Sequence, residues 1–474
     1  MFFFSSPSTA SRIEAFRAAE QQLLGYAKTR FGHRNQDPSR HEFELFDTPI
    51  SKPEVIKKSS AKCQIHESSD TDEHSIHGVK VTNTQLGDGG EGGYPAPLVL
   101  LHGYANGSLY FYRNLMGLSQ HFGRVYALDM MGWGLSSRPK FDLVTDESVF
   151  EGSVHETADD VDDDLKKSTR QKVAAAELFF VESLESWRKK HNLSKMTLAG
   201  HSMGGYMSVA YAERYPEHVE CLILMSPVGV PVKRPEDDKR LKSLPFYLRG
   251  MVSTARYLFN SGITPGAFLR SLPLSRSKAM VDGYIENRLP AITCEDEREH
   301  LSEYLYQNSM MPSSGESCLS AVLEAGAFAR IPLVNRIPNI KPGLEVHFIY
   351  GENDWMGYQG GLDTQRLCLK KPDDSPTVFV HGVRNASHLL MLDNYEELNA
   401  ALIIAANGEH RLTRDTPRPI EFACNELVGY RSMHKSYRGA IGETHAAAFF
   451  RGGRFNIREQ NEVDEERKAE ENLS

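Results

Sequence analysis

The stretch from Lys195 to Ala210 limits what this chain can fold into more than any other. Met196, Leu198 and Ala199 make a short apolar run of the kind a buried strand carries. Gly200-His201-Ser202-Met203-Gly204 follows, and a helical pattern then runs to a stop at Pro216. Strand, G-x-S-x-G and helix in that order predict a sharp turn that lifts a serine hydroxyl to the sheet edge. The turn is tight, so a Cβ at Gly200 or Gly204 would run into the neighbouring strand and helix, and Ser202 must sit in strained backbone. Ser202 is therefore the candidate nucleophile, held above the positive end of the helix that follows.

A serine hydroxyl is a poor nucleophile near neutral pH and needs a base that a carboxylate orients. Other apolar runs supply places for both. Pro97 to His102 reads as a strand covered on both faces and leads into His102-Gly103-Tyr104. Val125 to Leu128 is the next, ending in Asp129 to Pro139, with Asp129 and Arg138 fixing the turn. Val219 to Met225 follows the elbow; Leu344 to Tyr350 leads to Asp354; Thr377 to Val380 reads as the last strand and leads to His388. The expected roles are Ser202 as nucleophile, His388 as base and Asp354 as its orienting acid. His381 competes as base but lies too near its strand end. Glu352 competes as acid but sits less far out on its loop. The tetrahedral intermediate needs N–H donors, which Met203 and Tyr104 are expected to supply, while His102 shapes its loop. His388 to Asp393 also spells H-x-x-x-x-D, although Asp393 with Glu396 reads as a capping pair for the last helix.

Strands that alternate with helices predict a mostly parallel, doubly wound sheet with its site at the strand carboxyl ends. The expected organisation is an N-terminal tail and helix over 1–40, a first core part over 41–230, a helical cap over 231–342, a second core part over 343–409, and a polar extension over 410–474. Residues 1–10 read as disordered. Ser11 to Glu14 reads as a capping box, opening a helix to about residue 31 that packs Ile13, Phe16, Leu23, Leu24, Ala27 and Phe31 onto the domain. His41 to Phe46 alternates like an edge strand; residues 51–73 read as a loop; Ile76, Val79 and Val81 mark a strand; Gly87 to Gly93 is a turn. Residues 141–164 carry ten carboxylates and no Lys or Arg, so a solvated loop is expected over 141–166. Gln171 to Lys190 is an amphipathic helix. In the cap, Leu244 to Leu248 and Val252 to Phe259, beside Arg249 and Arg256, read equally as core packing or as a surface for lying on lipid.

The elbow, the Asp129 to Pro139 segment and the order Ser202, Asp354, His388 together resemble the α/β-hydrolase superfamily. Trp187 to Lys190, Pro312 to Glu316, Tyr350 to Gly361 and His388 to Asp393 narrow the resemblance to a lipid-metabolising branch. That branch contains the lipid-droplet lipase co-activator, the N-acyl-phospholipid lysophospholipase, a plant phospholipase and lysophosphatidate acyltransferase, and the yeast mitochondrial cardiolipin deacylase. It implies the α/β-hydrolase fold with a helical cap inserted before the acid-bearing strand. It further implies cleavage of acyl esters in phospholipids or lysophospholipids, with acyl-CoA-dependent transfer through His388 and Asp393 as the alternative. The co-activator lacks the serine, so a non-catalytic lipid-droplet or membrane adaptor is the third reading; this chain keeps Ser202.

A net charge of −9 without a basic stripe speaks against nucleic acid. The six cysteines show no paired spacing, which suits free thiols and neither a disulfide framework nor a zinc site. A Ser-His-Asp site carries its own proton transfer, so no metal or cofactor is expected. No apolar run reaches the ~18–20 residues of a membrane span, and Met1 to Phe4 is too short for a signal-peptide core. The expected setting is the cytoplasm or a membrane or lipid-droplet surface. The early Arg and Ser residues, offset by Glu14 and Glu20, leave a weak mitochondrial signal.

Overall fold

The computed structural model describes residues 8–32, 40–51, 73–86, 96–139, 163–233, 257, 264–324, 326–407 and 419–422. The first seven residues, the body of the 51–73 loop, the Gly87 to Gly93 turn and the acidic stretch up to residue 162 lie outside these. So do Leu244 to Phe259 with Arg249 and Arg256 (Tyr257 apart), and most of the tail.

Among the described residues nine strands form one sheet: β1 (His41–Ser51), β2 (Glu73–Asn83), β3 (Leu98–Leu101), β4 (Arg124–Leu128), β5 (Met196–His201), β6 (Val219–Met225), β7 (Glu345–Gly351), β8 (Thr377–Val383) and β9 (Ile420–Phe422). Their spatial order is β1-β2-β4-β3-β5-β6-β7-β8-β9. The run from β4 through β8 is parallel, and β1, β2 and β9 pair antiparallel at the margins. The continuous apolar runs become the central strands because both their faces are covered: β3 and β5 are buried along their whole length. Helices α2 (Asp163–Lys190) and α3 (Met203–Arg214) connect the central strands.

Three expectations change here. Helix α2 begins at Asp163, inside the loop expected over 141–166 and ahead of the helix expected from Gln171. Residues near 420, read as part of a polar extension, add β9 to the sheet, so β8 is not the last strand. A three-residue strand with one apolar residue at each end carries too short a period to be seen in sequence. The N-terminal helix α1 (Thr9–Phe31) starts before the expected capping box. Ser8 is its cap and accepts from the Ser11 N–H, so Ser11 lies inside the helix. Its buried residues include Phe16, Leu23, Leu24 and Ala27, the packing expected of them.

The described part of the segment between β6 and β7 holds α4 (Pro265–Ser271), α5 (Leu274–Arg288) and α6 (Glu295–Met310). It leans on α1, where the Phe16 and Tyr304 rings meet at 5.4 Å. After β7 come α7 (Gln359–Leu369) and, beyond β8, α8 (Tyr395–Asn407). No helix among the described residues is long and apolar enough to cross a bilayer.

Candidate active site

Ser202 stands between the end of β5 and the start of α3, with φ 54 and ψ −113, a conformation that costs a non-glycine residue about 1–3 kcal/mol. The surrounding backbone imposes it. The Ser202 N–H donates to Met225 O at 2.9 Å, and its carbonyl accepts from the Val228 N–H at 3.2 Å and the Tyr206 N–H at 3.2 Å. The glycines permit the close approach: a Cβ on Gly204 would lie 2.5 Å from Leu101 O and 2.6 Å from His102 O. One on Gly200 would strike the Gly204 carbonyl and the Ser208 hydroxyl.

β7 and β8 deliver the other two groups. His388 Nε2 lies 3.1 Å from Ser202 Oγ, and His388 Nδ1 lies 3.1 Å from Asp354 Oδ1. Asp354 is buried. Burial pushes its carboxyl up, but the His388 charge and hydrogen bond, with help from Ser226 and the Met356 N–H, outweigh this and hold it below the usual carboxylate range. An ionised Asp354 accepts from Nδ1–H and so leaves Nε2 free to take a proton from Ser202.

The competitors are elsewhere engaged. His381 lies within β8, its Nε2 3.0 Å from His347 Nδ1, and burial lowers its pKa to about 4. Glu352 accepts from the Asn385 N–H at 3.0 Å. His102 is buried; its Nδ1–H donates to Gly103 O at 2.7 Å and its Nε2 accepts from the Met130 N–H at 3.1 Å, which shapes the loop. Asp129 accepts from the Ser108 and Leu135 N–H groups at 2.6 and 2.7 Å, and Arg138 donates to Gly134 O at 2.9 Å. Met203 opens α3, so its N–H has no acceptor within the helix. The loop carrying Tyr104 runs against the nucleophile, since a Cβ on Gly103 would lie 3.1 Å from Ser202 Cβ.

Asp393 departs from its expected role as a cap of the last helix. Its Oδ2 accepts from the Ser387 N–H at 2.8 Å and the Ser387 hydroxyl at 2.5 Å, so it fixes the residue before His388 and does not touch the imidazole. Asn394, one residue on, caps α8 by accepting from the Glu397 N–H at 3.3 Å. The shift arises because a four-residue helical turn, Leu390–Asp393, precedes α8 and separates Asp393 from it.

A profile of the α/β-hydrolase fold family matches residues 96–395.

The chain belongs to the α/β-hydrolase family. It is 33% identical over 329 residues to 1-acylglycerol-3-phosphate O-acyltransferase of Arabidopsis thaliana, covering 68% of this chain and 69% of the relative. It is 28% identical over 306 residues to (lyso)-N-acylphosphatidylethanolamine lipase of Mus musculus, covering 65% of this chain and 78% of the relative. Among solved structures, carboxylesterase CesB of Bacillus subtilis is similar over 83% of this chain and 98% of that chain, at 17% identity and a TM-score of 0.45. Relatives named as acyltransferase and lipase put this α/β-hydrolase in a lipid-metabolising branch, as a hydrolase or an acyltransferase.

Several supports of this α/β-hydrolase site carry no sequence signal. The imidazole of His201 is neutral, burial and the neighbouring His388 lowering its pKa to about 3, and its Nε2–H donates to His388 O at 2.8 Å. That bond ties the elbow to the loop bearing the base. Trp355, 41% exposed, lays its ring 5.0 Å from that of His388. Only the spatial neighbour gives either residue its role. Among the described residues Glu20, His77 and Asp129 approach as metal ligands would. Both nitrogens of His77 are already held by carboxylates, Asp47 at 2.8 Å and Glu20 at 2.9 Å, so the imidazole has no lone pair to offer a metal and the cluster is an ion network. Of the cysteines, Cys221, Cys294, Cys318 and Cys368 are free thiols, and Cys63 and Cys424 lie outside the described residues.

Proposed function

We propose that this chain is a serine hydrolase that cleaves acyl esters of glycerophospholipids or lysophospholipids. The carrying observation is one imidazole bridging a strained serine and a buried, ionised carboxylate at 3.1 Å each. Ser202 Oγ attacks the ester carbonyl as His388 Nε2 takes its proton. The resulting oxyanion is met by the N–H of Met203 and that of Tyr104. His388 then gives the proton to the leaving lysolipid or glycerol oxygen, and the acyl group remains on Ser202. Water, deprotonated by the same imidazole, releases the fatty acid. A second lipid hydroxyl in place of that water turns the reaction into acyl transfer through the same acyl-enzyme.

The reading that places acyl transfer on His388 and Asp393 has less support, because Asp393 is spent on Ser387. The lipid substrate is supported by the relatives' names and by apolar side chains that the cap leaves in solvent. Phe268 is 55% exposed, and Leu274 and Met280 are 48% exposed. Such a surface fits peripheral association with a membrane or a lipid droplet.

Purified protein is expected to release fatty acid from phospholipid or lysophospholipid vesicles and to react with a fluorophosphonate probe. Ser202→Ala should abolish labelling and cut release by at least ~10³-fold. Labelling that survives Ser202→Ala would overturn the mechanism. Acyl-CoA-dependent transfer that survives the same change would favour the route through His388 and Asp393. An unlabelled wild-type protein that still floats with vesicles would favour the adaptor.

A further inference from the structure

Ser226 follows β6 directly and has φ +46, in the left-handed region that a serine occupies at a cost. Its backbone explains its place but not its side chain. The Ser226 N–H donates to Ile349 O on β7 at 2.8 Å, and the preceding carbonyl, Met225 O, accepts from Ser202 at 2.9 Å. This turn therefore clamps the serine elbow on one side and the acid-bearing strand on the other. A glycine would satisfy that backbone without strain.

The hydroxyl is the part a glycine would lack. Ser226 is fully buried, and its Oγ makes no hydrogen bond of good geometry. Asp354 Oδ2 is buried and unpartnered in the same way. The two groups are neighbours, and the Ser226 hydroxyl is among those that keep the Asp354 carboxyl low. One orphan can donate, and the other can only accept. Buried polar atoms left unpaired are costly, and a turn about the Ser226 Cα–Cβ bond relieves both at once.

We propose that Ser226 is a positioning residue for the proposed hydrolase: its hydroxyl donates to Asp354 Oδ2 and sets the plane of the carboxylate. Otherwise Asp354 is held through Oδ1 alone, by His388 at 3.1 Å and by the Met356 N–H at 3.0 Å. A carboxylate gripped at one oxygen can swing about its Cβ–Cγ bond. Gripped at both, it keeps Oδ1 aimed at Nδ1 and so keeps Nε2 aimed at Ser202. Ser226 touches neither substrate nor the reacting atoms and acts only through Asp354.

This inference rests on the hydrolase reading, and one experiment separates the two. Full-length wild type, Ser226→Ala and Ser226→Gly are labelled with a fluorophosphonate across the range in which imidazole titrates, and each is melted. Both variants should label about tenfold more slowly at neutral pH, the loss of one charge-assisted hydrogen bond. Their acid limbs should move to lower pH, because a carboxylate free to swing off Nδ1 holds the imidazolium less tightly. Ser226→Gly, freed of its φ strain, should melt no lower than wild type, so its loss of rate is not a loss of fold. If Ser226→Gly labels at the wild-type rate with an unmoved acid limb, Ser226 has no positioning role and the hydrolase reading stands. If wild type itself does not label, both fall together.

Discussion

Backbone groups tie together the loops at the sheet edge. Ser202 is fixed through Met225, Val228 and Tyr206, Ser226 through Ile349, and the Asn353 N–H donates to Ala386 O at 2.9 Å. The cap meets the same neighbourhood mainly through side chains. Asn308 Nδ2 donates to Ala105 O at 3.1 Å, Arg138 to Pro312 O at 2.7 Å, and Arg113 and the Tyr112 hydroxyl both reach Glu297. The two regions therefore differ in what a substitution can remove. Trimming a reacting side chain at the sheet edge leaves the framework standing and takes away chemistry. Trimming one at the cap seam takes away the attachment itself.

The largest expected effect tests the first half of that contrast. Asp354→Asn keeps the shape but presents an amide that can hold the wrong imidazole tautomer, so Nε2 carries the proton it should accept. Turnover should fall about 10³-fold or more, with the melting temperature nearly unchanged. A large fall in melting temperature would show the sheet edge to depend on its side chains after all. The second half predicts the reverse at the seam. Glu297 is buried on α6 and accepts from Arg113 Nε at 2.7 Å and from Tyr112 at 2.6 Å. Glu297→Gln strands the buried Arg113 charge, at a cost of about 3 kcal/mol. Chemical denaturation should show that loss, and limited proteolysis should cut α6 first. Because Arg113 also donates to Leu392 O at 2.7 Å, in the turn after His388, activity should fall less than stability suggests but not stay whole.

The same contrast explains what the sequence revealed. The elbow, the central strands and the groups at Asp354 and His388 were legible because each rests on local grammar: an apolar run, a glycine-bounded turn, a residue past a strand end. Asp393 was misread because its partner, Ser387, is met only after the chain folds back, and a capping pattern offered a local reading. His201 and Ser226 look like filler in a turn and a loop, and their bonds to His388 and Asp354 cross between loops of distant strands. β9 escaped because three residues cannot show a period of two. The seam of the cap was illegible for a related reason. Pairs such as Arg113 with Glu297, 184 residues apart, leave no trace in spacing.

The smallest expected effect lies where α1 joins these two regions, packed on cap helix α6 and tied to the sheet by His77 on β2. Burial alone would keep that imidazole neutral, but Asp47 and Glu20 overcome it and lift its pKa to about 10. The pair with His77 holds Asp47 down at about 2, while burial pushes Glu20 up, and Asp129 adds a further negative charge nearby. An unfolded histidine titrates near 6.5. The His77 contribution is therefore complete below about pH 6.5 and is lost as pH rises through about 10. Glu20 acts in the same direction, since deprotonating a buried carboxyl costs stability as pH rises. Asp47 acts oppositely: its contribution is complete above about pH 4 and is lost as pH falls through about 2. Attachment of α1 should thus be firmest between about pH 4 and 6.5. Hydrogen exchange of the α1 amides, corrected for the intrinsic rate, should show protection declining between pH 7 and 9.5 in wild type, on the order of the linkage expected for one shifted group. His77→Gln should flatten that decline while leaving the exchange of β5 and β6 untouched. If the protection of α1 has the same slope in both proteins, the charge on His77 does not hold the helix, and apolar packing at Phe16 and Leu23 carries the attachment alone.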